Sequence, residues 1–247
     1  LSGLPYGDAA APVHPGTGGG RGNVTTDHGG SGGGVVWIEA AGHAEVDGTL
    51  DASGRWQLGN SSSTGSGGSV YLKCASVSGA GLLKADSGAS QGESLGGSGG
   101  RIAVVYDPGA QAVHGTPGLV YSAKATHYTA TSRSKSDMGT VYFTDQQLLG
   151  AEHSPRRGVL AGEVNLGTGW EAWAPGDVVV SNAFVRFRPG PVPLSVGGDF
   201  IVYGMAECAF GGGTYAWTNC LGRLPYTLGT GPAVRIEGDL VLANDAA

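Results

Sequence analysis

Charge and cysteine are scarce in this sequence, and long apolar runs and the short motifs of nucleotide or metal chemistry are missing. Of 247 residues only 14% are charged, the formal net charge is −6, and no lysine/arginine run occurs. That balance argues against nucleic acid or an anionic membrane as a partner. No apolar stretch approaches the roughly 20 residues needed to cross a bilayer, so membrane insertion is not expected. There is no Walker lysine, no H-E-x-x-H, no C-x-x-C and no calcium-binding G-G-x-G-x-D nonapeptide. The histidines, His14, His28, His43, His114, His127 and His153, are scattered singly, which fits surface loops better than metal ligation. Neither a metal nor a cofactor is expected. Helix-like composition is confined to one short stretch, TDQQLLGAEH at 144–153.

What the chain does have is glycine, 48 residues of it, with 40% hydrophobic residues. Glycine without a G-X-Y period excludes collagen, and Val, Ile, Tyr, Trp and Thr cluster between the glycine runs, where strands are expected. The glycines then fall at turns and corners, where the chain bends sharply and φ is often positive. Three cysteines are an odd count. Cys208 and Cys220 bracket one loop, CAFGGGTYAWTNC, and could close as a disulfide, although sequence alone does not fix the connectivity; Cys74 would remain as a small residue at a strand end. Asn23 and Asn60 begin N-x-[ST] sequons in Gly/Ser-rich segments and give weak support to a secretory route and to glycosylation. The opening LSGLPYGD lacks a basic stretch and an apolar h-region, and the chain stops at ANDAA, so a fragment of something longer is expected.

The glycine runs lead into repeated strands. GGGVVWIE (32–39), GGSVYLKC (67–74), GGRIAVVY (99–106) and MGTVYFTD (138–145) align without gaps. One column holds Val36, Val70, Ile102 and Val141, and the column two residues on holds Ile38, Leu72, Val104 and Phe143. Alternation in a strand sends both columns to one interior and sends Trp37, Tyr71, Ala103 and Tyr142 to the opposite face. A second rhythm places Gly-Asp before an apolar strand in PGDVVVS (175–181), GGDFIVY (197–203) and EGDLVLA (237–243). The spacing of the first two copies is close to one turn of a parallel solenoid.

Like residues recur in the same order and orientation, which places them side by side only if the strands run parallel. The expected fold is therefore all-β, a right-handed parallel β-helix with Gly-rich loops, with a β-sandwich as the alternative. Residues 1–145 are expected to form Gly-rich β-helix repeats, and 146–247 to continue them as further coils carrying the Cys208–Cys220 loop, in one continuous solenoid.

The phrase YGDAAAPVHPGTGGG, followed by GGSGGGVVWIEAAGHAEVDGTLDASG, GGSVYLK and GGSGGRIAVVY, resembles the Gly-rich repeat regions of large secreted and cell-surface proteins. Such regions occur in adhesin-like bacterial proteins and in extracellular proteins of algae and animals. The resemblance covers residues 6 to 145 well and the remainder only through its Gly-Asp rhythm. It implies a parallel β-helix with an extracellular scaffold or adhesion role and brings no active site with it. A flagellar-hair or cell-wall protein of an alga would fit the alanine/glycine bias and the sequons.

Few residues suggest chemistry. The G-x-S-x-G matches at 29–33 and 96–100 precede strands, whereas a nucleophile elbow follows one. Asp47, Asp51, Asp86, Asp177, Asp199 and Asp239 recur near turns; capping of backbone N–H groups explains them better than a calcium ladder or an acid/base pair. The stretch YSAKATHYTATSRSK (121–135) gathers Tyr121, Lys124, His127, Tyr128 and Arg133, the residue types with which a polysaccharide lyase neutralises a uronate carboxylate and moves its α-proton. Trp37, Tyr71 and Tyr142 would form an aromatic ladder for sugar rings, and Trp170 and Trp173 would either stack on sugars or close an end of the array. The sequence thus favours a non-enzymatic extracellular structural or adhesive segment of a larger secreted or cell-surface protein. Its expected partners are neighbouring segments or copies of the same protein, and carbohydrate. The alternatives are a β-helical polysaccharide lyase using Lys124, His127, Tyr128 and Arg133, and a carbohydrate-binding module using the ladder.

Overall fold

A computed structural model describes residues 7–22, 28–56, 62–89, 96–125, 136–188, 194–204, 206–210, 216–218 and 234–243. The strands are β1 (Val35–Glu39), β2 (His43–Glu45), β3 (Thr49–Asp51), β4 (Ser69–Lys73), β5 (Ser76–Ser78), β6 (Leu82–Lys84), β7 (Arg101–Val105), β8 (Val120–Ser122), β9 (Thr140–Phe143) and β10 (Glu152–His153). They continue with β11 (Gly158–Leu166), β12 (Val178–Ser181), β13 (Phe184–Phe187), β14 (Leu194–Val196), β15 (Phe200–Tyr203), β16 (Glu207–Phe210), β17 (Ala216–Thr218), β18 (Val234–Ile236) and β19 (Leu240–Ala243). One short helix, α1 (Pro108–Gln111), starts at Asp107, whose carboxylate accepts the Ala110 N–H, with Pro108 in the first turn.

The aligned repeats pair in the register in which they align. β1, β4, β7 and β9 lie side by side and parallel, with Val36, Val70, Ile102 and Val141 as neighbours and Ile38, Leu72, Val104 and Phe143 beside them. From β4 onward both columns are buried. The Gly-Asp copies pair likewise, Val178–Phe200–Leu240 and Val180–Val202–Leu242, in a separate four-stranded sheet.

The whole, however, is neither the expected parallel β-helix nor the alternative sandwich. A solenoid keeps its ladders on separate faces; here two of them fuse. The nine-residue β11 pairs with β8 through Gly158, Val159 and Ala161, and with β9 through Glu163 to Leu166. Within the β8-paired half the register shifts between Val159 and Ala161, and at Gly162, just before the β9-paired half, φ is 148°, with Val141 packed where a Cβ would stand. The β3-β6-β8 ladder thereby rejoins β1-β4-β7-β9, and the main sheet curls into a nearly closed parallel barrel with eight strands along its path. A sandwich of antiparallel sheets is excluded because, among the described strands, only β16–β17 pair antiparallel. The sheet also crosses residue 145 without a break, since β11 joins β9 to β13.

The Gly-rich runs are part of the fold, and their glycines do not serve corners. Gly16 and Gly19 donate to the carbonyls of Gly33 and Gly30; Gly30 and Gly33 donate to Ser63 and Ser66; Ser63 and Ser66 donate back to Gly20 and Thr17. Three segments thus bind one another at every third residue, the repeat of a polyproline II helix, which has no hydrogen bonds of its own. Backbones this close leave no room for side chains. A Cβ on Gly19 would collide with the Ser63 carbonyl, and one on Gly65 with that of Ser31. The described positive-φ glycines, Gly7, Gly79, Gly115, Gly158, Gly162, Gly169 and Gly204, all lie outside these contacts.

Candidate functional site

The outer face of the main sheet carries the residues most suited to binding. Pairing brings Trp37, Tyr71, Ala103, Tyr142 and Asn165 into one row and Val35, Ser69, Arg101, Thr140, Glu163 and Arg186 into the row beside it. Trp37 and Tyr71 stack with ring centroids 4.0 Å apart and planes at 22°. The aromatic ladder is interrupted, though. Ala103 provides no ring, and residues 7–14 lie across the middle of the face. Ser69 Oγ donates to the His14 carbonyl at 2.6 Å, and Gly7 sits against the Arg101 guanidinium. Burial first, and then the Asp8 charge, push the Tyr142 phenol up; burial and Glu39 do the same for Tyr71. Tyr71 is buried, Tyr142 is half-buried and Trp37 remains 46% exposed. A sugar ring would meet one tryptophan backed by a tyrosine, not a continuous platform.

Farther along, Glu163 is held between Arg186 Nη1 at 3.3 Å and Arg188 Nε at 3.1 Å. Arg186 Nε and the neighbouring Thr140 Oγ1 are buried without a hydrogen-bond partner. This clamp joins β11 to β13 and its two arginines face a single carboxylate.

Of the residues expected to act on a uronate, only Lys124 is described; His127, Tyr128 and Arg133 lie outside the described residues. Lys124 is exposed, with Nζ 5.6 Å from the Phe184 ring centroid. Tyr121 belongs to the core: it is 1% exposed and meets Phe143 edge-on. Trp170 and Trp173 are buried too, packed around Phe187, with Trp173 Nε1 donating to the Leu149 carbonyl. They are not available to stack on sugars.

The recurring aspartates join strand to strand. Asp177 Oδ1 accepts the Asp199 N–H and Asp199 Oδ1 accepts the Asp239 N–H, both at 2.8 Å. Asp47 accepts from Ala80, and Asp86 accepts from Lys124 N–H and Ser122 Oγ. Burial nevertheless raises the Asp86 carboxyl above the usual range, against the pull of those bonds and of Lys84 and Lys124. Among the described residues no group of three or more His, Cys, Asp or Glu could hold a metal ion.

His153 departs from the surface expectation. It is fully buried, its Nδ1 accepts the Val159 N–H at 3.2 Å, and its Nε2 has no partner. Burial lowers it to about 4. His14, His28, His43 and His114 are exposed as expected, and His43 stacks on His114 while reaching Ser76 and Ser78. Cys208 is buried on β16; Cys220 and the sequon residues Asn23 and Asn60 lie outside the described residues. Cys74 is buried, and its thiol is pushed up by burial, the opposite of a reactive thiol.

Fold and face together define a mainly parallel β protein with a glycine-packed flank. No family model, no curated protein and no solved structure matches the chain.

Proposed function

We propose that this chain is a non-enzymatic structural or adhesive scaffold segment of a larger secreted or cell-surface protein, with neighbouring segments of that protein and carbohydrate as partners. The observation that carries the reading is the mutual hydrogen bonding of three glycine-rich segments at every third residue. Glycine loses more conformational freedom on ordering than any other residue, so such segments would be floppy if unbound. Here their donors and acceptors are used in holding each other, and the aspartates likewise hold strand to strand. The gain is rigidity, the property a scaffold uses.

Two measurements test this. Amide exchange at Gly16, Gly19, Gly30 and Gly33 is expected to be as slow as in β4 and β7, and incubation with polygalacturonate or alginate is expected to release no unsaturated uronate. Fast exchange, or uronate release that disappears with Lys124→Ala, overturns the reading. A second reading rests on Trp37: one exposed ring stacked on Tyr71 supports a single-ring contact to a polysaccharide.

A further inference from the structure

Among the described residues the first three strands form an open end. Val70, Leu72, Val77 and Leu83 are buried, but their register partners Val36, Ile38, Ala44 and Leu50 are only partly so. A cavity of about 330 Å³ opens between β1, β2 and β3, with Leu72 among its lining residues and Ile38, Val46 and Leu50 on its walls. Among the described residues no strand pairs with the outer edges of β1, β2 or β3. Unpaired parallel edges around an apolar mouth are a template for added strands.

Charge selects what is added. The end carries Glu39, Glu45, Asp47 and Asp51, all exposed, and no lysine or arginine occurs between 35 and 51. On the inner side the chain has already met this pattern: Lys73 stands beside Glu39, and Lys84 Nζ reaches Asp51 Oδ2 at 3.8 Å. A second copy meeting this end head to head would set acid against acid.

We propose that this end docks an extended segment of a partner protein, which adds as strands beside β1 and β3, fills the mouth with alternate apolar residues, and sets lysine or arginine against Glu39 and Asp51. The inference names a partner for the scaffold and rests on that reading. A fluorescent peptide of residues 68–73, GSVYLK, is the probe, titrated against the full chain by anisotropy. Saturable binding is expected, weaker by at least about fivefold when the peptide lysine is replaced by glutamate, and by about two- to fivefold in the double variant Glu39→Gln/Asp51→Asn, whose sites are exposed. No binding, or binding indifferent to both changes, overturns the proposal. Sedimentation showing a dimer that these substitutions disrupt overturns it in favour of a second copy. Uronate release would overturn the scaffold reading and leave the peptide result standing.

Discussion

The side chain of Gln111 completes the backbone pairing of Val77. Its Oε1 accepts the Val77 N–H at 2.7 Å and its Nε2 donates to the Val77 carbonyl at 3.1 Å, while also reaching the Gly115 carbonyl at 2.9 Å. One amide thus does for the edge of β5 what a further strand would do, and α1 exists to present it.

Gln111→Ala should therefore leave two buried backbone groups of Val77 without partners, at a cost of about 2–3 kcal/mol in urea unfolding. A loss below about 0.5 kcal/mol for the alanine variant would show that the amide is dispensable.

The glycine runs give a contrast within a few residues. Gly65→Ala places a methyl group on the Ser31 carbonyl, whereas Gly34 has nothing within 4 Å of its Cβ position. Gly65→Ala should cost upward of about 2 kcal/mol because backbone must move, while Gly34→Ala should be neutral or stabilising by a few tenths of a kcal/mol through the unfolded chain. Equal urea midpoints for the two variants would contradict the close-packed bundle.

The clamp at Glu163 should be asymmetric. The Arg188 side chain is 48% exposed and that of Arg186 19%, against a Glu163 side chain at 10%. Arg188→Ala should cost no more than about 1 kcal/mol, as for an exposed pair. Glu163→Ala leaves the more buried guanidinium uncompensated and should cost about 2–3 kcal/mol. A double-mutant cycle on Glu163 and Arg186 separates their coupling from the loss of packing.

These residues also show what could be read before folding. Recurrence of Val36, Val70, Ile102 and Val141 fixes parallel register, because identical columns align only between strands of one direction. It cannot say how the ladders close, since closure depends on GVLAGEVNL, which copies no repeat, shifts register between Val159 and Ala161 and has positive φ at Gly162. The glycine spacing of three, at Gly16 and Gly19, Gly30 and Gly33, and Gly65 and Gly68, is visible in the sequence but matches neither the period of two of a strand nor a turn. Asp107-Pro108 marked the start of α1 in the same silent way. Trp170 and Trp173 were ambiguous for a physical reason: a ring that suits a sugar also suits a core, and only burial decides.

Burial likewise decides the role of His153 and makes it an acid-sensitive point of the core. An unperturbed imidazole titrates near 6.5, but burial holds this one to about 4, so below 6.5 the unfolded chain takes up a proton that the folded chain refuses. Stability should therefore fall as pH drops from 6.5 towards 4, by at most about 3 kcal/mol from this group, and should not respond to it above pH 7. Asp86 acts with the opposite sign: its raised carboxyl binds a proton more readily in the fold, a contribution present in acid and lost as pH rises. The two are separated by subtracting the urea stability curve of His153→Gln from that of the parent at each pH. The variant should be less stable at pH 7, having lost the Phe187 contact, and the gap should narrow steadily between pH 6.5 and 4. A gap that stays constant through that window would mean that His153 is not buried in its neutral form.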